Sequence, residues 1–176
     1  MQESSVALQV LAYLRKRYPK PATNLHFRTP WELLVATVLS AQCTDARVNL
    51  ITPKVFATWP SPKDMAQARI VELEAAIKSC GFYHNKAKNL KACAKRIVET
   101  FAGEVPKNLD DLLSLPGVAR KTANCVLFGA FGINAGLAVD THVKRISFRL
   151  GLTQSKQPET IEQDLLKLFP QEEWVA

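Results

Sequence analysis

Two short strings, TPWE at residues 29–32 and SPKD at residues 61–64, constrain the fold of this chain more than any other feature. In each, a hydroxyl can accept from an N–H three residues on. Proline sits at the first helical position, where its missing N–H matters least, and an acid follows at the third. Both strings are helix starts, with Thr29 and Ser61 as caps and Glu32 and Asp64 completing capping boxes. The rest of the chain is punctuated in the same way. Ser4 or Ser5 can cap a first helix that turns Val6, Val10, Leu11 and Leu14 toward one face. Thr44 or Asp45 opens a helix that Pro53 should kink or split. IVELEAAIKSCG reads as a short helix stopped by Gly81, and NKAKNLKACAKRIVETFAG as a long one ending at Gly103. NLDDLLSLPG is a short helix broken at Pro116-Gly117, and further helices are predicted at about 119–131, 141–150 and 159–168. FGINAGLAV is too short and Gly-broken to make a convincing strand, and no repeat of fixed period occurs. The predicted class is all-α with short connections.

A chain of 176 residues fits one domain or two small ones, and 47% hydrophobic residues exclude a wholly disordered chain. The net charge of +7 points to an anionic partner such as nucleic acid, against the plainer reading of a basic soluble protein. Cys43, Cys80, Cys93 and Cys125 include no C-x-x-C pair, so the sequence offers no zinc site. They read as reduced, packed thiols of a cytosolic protein. At the N-terminus the basic cluster follows the apolar stretch, the wrong order for a signal peptide. No apolar run approaches the roughly 20 residues a membrane helix needs, so no membrane association is expected.

The segment LSLPGVARKTANCVLFGAFG, residues 113–132, poses a question of charge. A helix N-terminus carries a partial positive charge, yet this one begins with Arg120-Lys121. A helix, a tight PGVA turn and a second helix form a hairpin whose turn presents successive N–H groups, a cradle suited to phosphate. Main-chain donors grip a DNA backbone without reading sequence, and a bound anion would offset the charge of Arg120 and Lys121. An ordinary helical corner with solvated basic residues is the alternative.

Lys121 and Asp140 form a second constellation. The helix after the turn is about 18 Å long, and residues 132–139 can reach back up to about 26 Å, so Asp140 can return to the end that carries Lys121. A lysine held near an anion and partly desolvated can act as an amine nucleophile. A nearby carboxylate can activate it or stabilise developing cationic charge. Asp140 in VDTHVKRI also reads as a plain helix cap, and the two roles are compatible. Two loops look like duplex probes. SAQCTD puts Gln42 at a helix end, and CGFYHNK puts Phe82, Tyr83 and His84 at a turn followed by Lys86 and Lys88. An aromatic wedge beside basic residues suits intercalation or the filling of a vacated base position. The alternative is that the aromatic residues are core and Gln42 a surface amide.

LPGVARKTANCVL followed by AVDTHVKRISFRLGL resembles the endonuclease III family of helix-hairpin-helix (HhH-GPD) DNA glycosylases. LLVATVLSAQCTDARVN and GFYHNKAKNLKACAKRIVETFAGEVP are similar to it as well, so the resemblance runs from about residue 4 to residue 170. It implies a base-excision repair enzyme with glycosylase and AP-lyase activity on oxidised pyrimidines in duplex DNA. It casts Lys121 as the Schiff-base nucleophile and Asp140 as the catalytic carboxylate. Gln42 would fill the gap left by the flipped nucleotide, and Phe82 stands where the family often has an intercalating Leu. The hairpin of Leu115, Gly117, Val118, Ala119 and Arg120 would bind phosphate, and its carbonyls can hold a monovalent cation. Tyr83, His84 and Lys86 would join the DNA contacts. The implied fold is a six-helix barrel domain at residues 23–132 beside a second helical domain made of 1–22 and 133–176. A monomer in the bacterial cytoplasm, at the nucleoid, is the implied state.

Two departures from the family pattern stand out. Ala119 replaces the second Gly of the usual Pro-Gly-Val-Gly, adding bulk where the backbone approaches phosphate. Family members also continue into a Cys-x6-Cys-x2-Cys-x5-Cys loop that holds a [4Fe–4S] cluster, and none of the four cysteines here has that spacing. No cluster is therefore expected in this chain, and apolar surface is expected near Trp174 and the first helix.

Overall fold

The computed structural model describes residues 2–19 and 21–174, with side chains from residue 5 onward. The chain divides into two compact units, Asn24–Phe131 and Met1–Thr23 with Gly132–Ala176. Among the described residues every regular element is helical, which bears out the all-α class.

The continuous unit holds α2 (Pro30–Ser40), α3 (Asp45–Thr58), α4 (Pro62–Gln67), α5 (Ile70–Ala76), α6 (Tyr83–Thr100), α7 (Leu109–Leu113) and α8 (Arg120–Phe131). Helix α2 is its axle, packed on α3, α6 and α8, with Trp31 to Ala36, Val38 and Leu39 all buried. A helix apolar on every side has no solvated face to offer, so its neighbours must surround it. Its start works as the TPWE string predicts: the Thr29 hydroxyl accepts from Glu32 N–H at 3.2 Å. The Glu32 carboxylate differs from the expected box. It accepts from Arg28 N–H at 2.6 Å and pairs with the Arg28 guanidinium at 2.8 Å, one residue earlier than a capping box requires. Ser61 and Asp64 do form the complete reciprocal box.

Helix α3 runs through Pro53 as one element instead of splitting. Val48, Thr52, Val55 and Phe56 are buried on both sides of the proline, so packing offsets the one missing hydrogen bond. Helix α5 ends at Ala76, well before Gly81, and α6 begins at Tyr83, earlier than predicted. From α6, Lys91 Nζ donates to Ala68 O at 2.6 Å, so a cation satisfies a carbonyl just past the end of α4.

The discontinuous unit holds α1 (Gln2–Arg17), α9 (Thr141–Arg149), α10 (Pro158–Leu168) and a 3-10 turn at Gln171–Glu173. Helix α1 starts ahead of Ser5, which lies inside it, and the Ser4 side chain falls outside the described residues. Its Ala7 joins Leu152, Ile161 and Leu165 in a small core, against which Leu137, Val139 and Val143 pack. Arg15 pairs with Glu173, whose carboxylate raises the guanidinium's already high pKa. Asn134 and Gln171 exchange two amide-to-carbonyl bonds of 3.1 Å, pinning the connection that leads to Asp140. Trp174 is half-buried and donates its indole N–H to Phe169 O at 2.9 Å, while Leu8 and Tyr13 are exposed on α1.

Candidate functional site

The hairpin between α7 and α8 is a type II turn built by its sequence. Val118 N–H closes onto Leu115 O at 3.2 Å, Pro116 supplies the first corner, and Gly117 takes φ +79° at the second. Leu115 and Val118 are buried, so their side chains anchor the turn and only their main chain can face a ligand. A Cβ on Gly117 would stand 2.7 Å from the Asn89 Cβ, because α6 presses Asn89 against the turn. Ala119 adopts no positive φ and is exposed, and its carbonyl accepts the first bond of α8, from Ala123 N–H at 3.0 Å. The second family glycine is thus replaced without left-handed backbone. Helix α8 has no acid in its first turn, with Arg120 half-buried and Lys121 exposed.

Asp140 belongs to the other unit. Its Oδ1 accepts from His142 N–H at 2.8 Å and Val143 N–H at 2.9 Å, so the carboxylate is the cap of α9 and is held in one orientation.

The two probe loops lie together. Gln42 and Phe82 are both exposed and both carry left-handed backbone, φ +55° and +57°, without being glycine. Such conformations cost free energy and persist where the surroundings impose them. A Cβ on Gly81 would sit 3.4 Å from Gln42 O, an ordinary van der Waals distance, so the two loops are neighbours. Behind them, burial and a hydrogen bond with Cys43 push the Cys80 thiol up to about 11.

Three expectations for this region are corrected. Gly81 is no helix stop, since the left-handed residue is Phe82, which precedes α6. Tyr83 and His84 are not turn residues but the first turn of α6. Their rings lie 4.0 Å apart, and His84 Nδ1 is 3.0 Å from Glu74 Oε1 on α5. Lys86 is not a surface cation: it is 7% exposed and its ammonium donates to Leu39 O at 2.8 Å. Its long stem reaches an orphan carbonyl at the end of α2, and that partner holds it inward. Lys88, by contrast, is exposed.

None of the four cysteines is in a disulfide, and among the described residues no three His, Cys, Asp or Glu side chains form a metal-binding group. Burial pushes the Cys93 thiol up to about 12, from an ordinary value of 9.0. The folded chain therefore favours the protonated thiol. Stability from this group is intact below about pH 9 and is lost toward pH 12, by roughly 1.4 kcal/mol per unit. Urea denaturation from pH 8 to 11 should show the parent losing more stability than a Cys93→Ala variant over the same range.

The hairpin, its basic helix start and the all-helical frame define a helix-hairpin-helix protein. Residues 35–171 match the HhH-GPD superfamily of base excision DNA repair proteins, and the chain belongs to that superfamily. Within it, the chain is 54% identical to endonuclease III of Synechocystis sp. over 96% of its own length and 77% of that protein's. It is 46% identical to endonuclease III of Bacillus subtilis, over 89% and 72%. An endonuclease III solved as a trapped covalent intermediate with DNA superposes at a TM-score of 0.90, with 43% identity, covering 96% of this chain and 81% of that one. A thermostable thymine-DNA glycosylase, 21% identical, shares the fold at a TM-score of 0.83 over 97% and 83%. Among the described residues no helix is long and apolar enough to cross a membrane.

Proposed function

We propose that this chain is a bifunctional DNA glycosylase and AP lyase that removes oxidised pyrimidines from duplex DNA through an imine at Lys121. The observation that carries this reading is the likeness to an endonuclease III caught covalently joined to DNA. An exposed lysine at the second position of α8, directly after the hairpin, is the amine this chain offers for such a bond.

The chemistry follows from the groups. The hairpin's main chain and the start of α8 hold a phosphate near the lesion. The damaged nucleotide leaves the stack at a cost of a few kcal/mol, less where it pairs poorly. Gln42 occupies the vacated position, and Phe82 wedges the neighbouring step. Lys121 Nζ attacks C1′ with its lone pair, and the glycosidic bond breaks as the base departs with its electron pair and a proton given up by the attacking nitrogen. The C1′–O4′ bond then breaks, O4′ leaving with the electron pair and taking a proton from water, and the protonated imine that results acidifies the C2′ hydrogen. Loss of that proton drives β-elimination of the 3′ phosphate, and water then releases Lys121. Asp140, fixed by its capping bonds, takes up the amine proton or stabilises the developing cation on the sugar.

The hairpin carbonyls are read as the seat of a monovalent cation, since a carbonyl such as Leu115 O, already accepting Val118 N–H, has a second lone pair. We read the protein as a cytoplasmic, nucleoid-associated monomer that carries no cluster on these cysteines, with residues 23–132 and the remainder as its two domains.

A duplex with one thymine glycol tests the reading. The expected result is base release together with a nick bearing the β-elimination terminus. Base release without a nick would mean hydrolysis alone, and tight binding without either would mean a DNA-binding module. The two roles of Asp140 separate by substitution. Asp140→Ala should cost about 1 kcal/mol of stability, and Asp140→Asn, which keeps an acceptor, less than half of that. Both should depress nicking, as read by denaturation midpoints and single-turnover rates.

A further inference from the structure

Lys86 is a buried charge that the mechanism does not use, as are Glu32 and Glu162. A side chain that buries an ammonium against a neutral carbonyl loses more hydration than an apolar chain of equal length would. Its geometry gives a reason for that cost. The ammonium donates to Leu39 O at 2.8 Å, joining positions 47 residues apart in sequence. Leu39 lies in the last turn of α2, which ends at Ser40 just ahead of Gln42, and the negative end of the helix favours a cation there. The main-chain N–H of the same lysine donates to Phe82 O at 3.0 Å, closing the first turn of α6. One residue therefore bonds the approach to Gln42 and Phe82 itself. A hydrogen bond between Cys80 and Cys43 joins the same two segments.

We propose that Lys86 is a positioning residue that locks the Gln42 and Phe82 loops into a single two-pronged body, so that gap filling and wedge insertion occur as one step. The inference rests on the reading of Gln42 and Phe82 as duplex probes. In a locked pair, either prong alone is poorly inserted, so losing one forfeits most of what losing both forfeits. With the lock removed, each prong acts by itself.

The test is a double-mutant cycle of Gln42→Ala and Phe82→Ala, read by 2-aminopurine fluorescence opposite an abasic site in duplex DNA and by the single-turnover nicking rate. In the parent, each single variant should lose about tenfold and the double variant little more, as coupled pairs do. In a Lys86→Met background the two losses should multiply. Nicking of an abasic sugar in single-stranded DNA, which needs no insertion, should be unchanged by Lys86→Met. A role in bulk folding alone would lower melting temperature and both substrates together. If Lys86→Met does not fold, Lys86→Gln, neutral and shorter, carries the same expectation. Coupling that persists without the lysine, or is absent from the parent, overturns the inference. Gln42→Ala and Phe82→Ala variants that both behave like the parent would instead overturn the probe reading beneath it.

Discussion

Lys121→Gln is expected to lower nicking at an abasic site by about a thousandfold or more, because it removes the nucleophile that forms the imine. The same variant should keep its fold. Lys121 is exposed at a helix N-terminus, where a cation is disfavoured, so stability should stay within about 0.5 kcal/mol of the parent. Binding to abasic duplex should persist, with a salt dependence reduced by about one phosphate contact. Loss of nicking with fold and binding retained separates chemistry from recognition. A variant that still nicks at near the parent rate would mean that another amine, or water, does the work.

Gly117→Ala carries the second large effect, and here it is on stability. The residue sits at φ +79°, which alanine adopts only at a cost, and its Cβ would meet Asn89 Cβ at 2.7 Å. Left-handed backbone and overpacking together should cost about 2–4 kcal/mol, measured by urea denaturation. The two contributions can be told apart. Adding Asn89→Gly to Gly117→Ala opens the space but leaves the backbone preference, so it should relieve only the steric part, less the cost of a helical glycine. DNA affinity should fall with the hairpin geometry in both variants, since the main chain of the turn is its only offering.

The helical frame was legible because its signals are local. Thr29, Thr44, Ser61 and Asp140 each cap within three residues of themselves, and sequence carries that information directly. The type II hairpin was legible for the same reason, with proline and glycine at its two corners. What stayed hidden depends on contacts between distant segments. Lys86 reads as one more basic residue in NKAKN, and nothing nearby in sequence announces a carbonyl at Leu39. Gly81 looks like a helix stop, yet Phe82, the next residue, bears the left-handed turn. Pro53 predicts a kink or a split, and with packing on both sides of it the helix does not split. Glu32 reaches back to Arg28 because a paired guanidinium competes with the cap.

The central claim is that the amine of Lys121 forms a covalent bond with the sugar. Borohydride added during reaction with an abasic duplex reduces an imine to a stable amine, and peptide mass spectrometry of the adduct locates it. The account predicts a single modified peptide with the deoxyribose fragment on Lys121. An adduct on a different amine, or strand cleavage with no adduct at all, would contradict it.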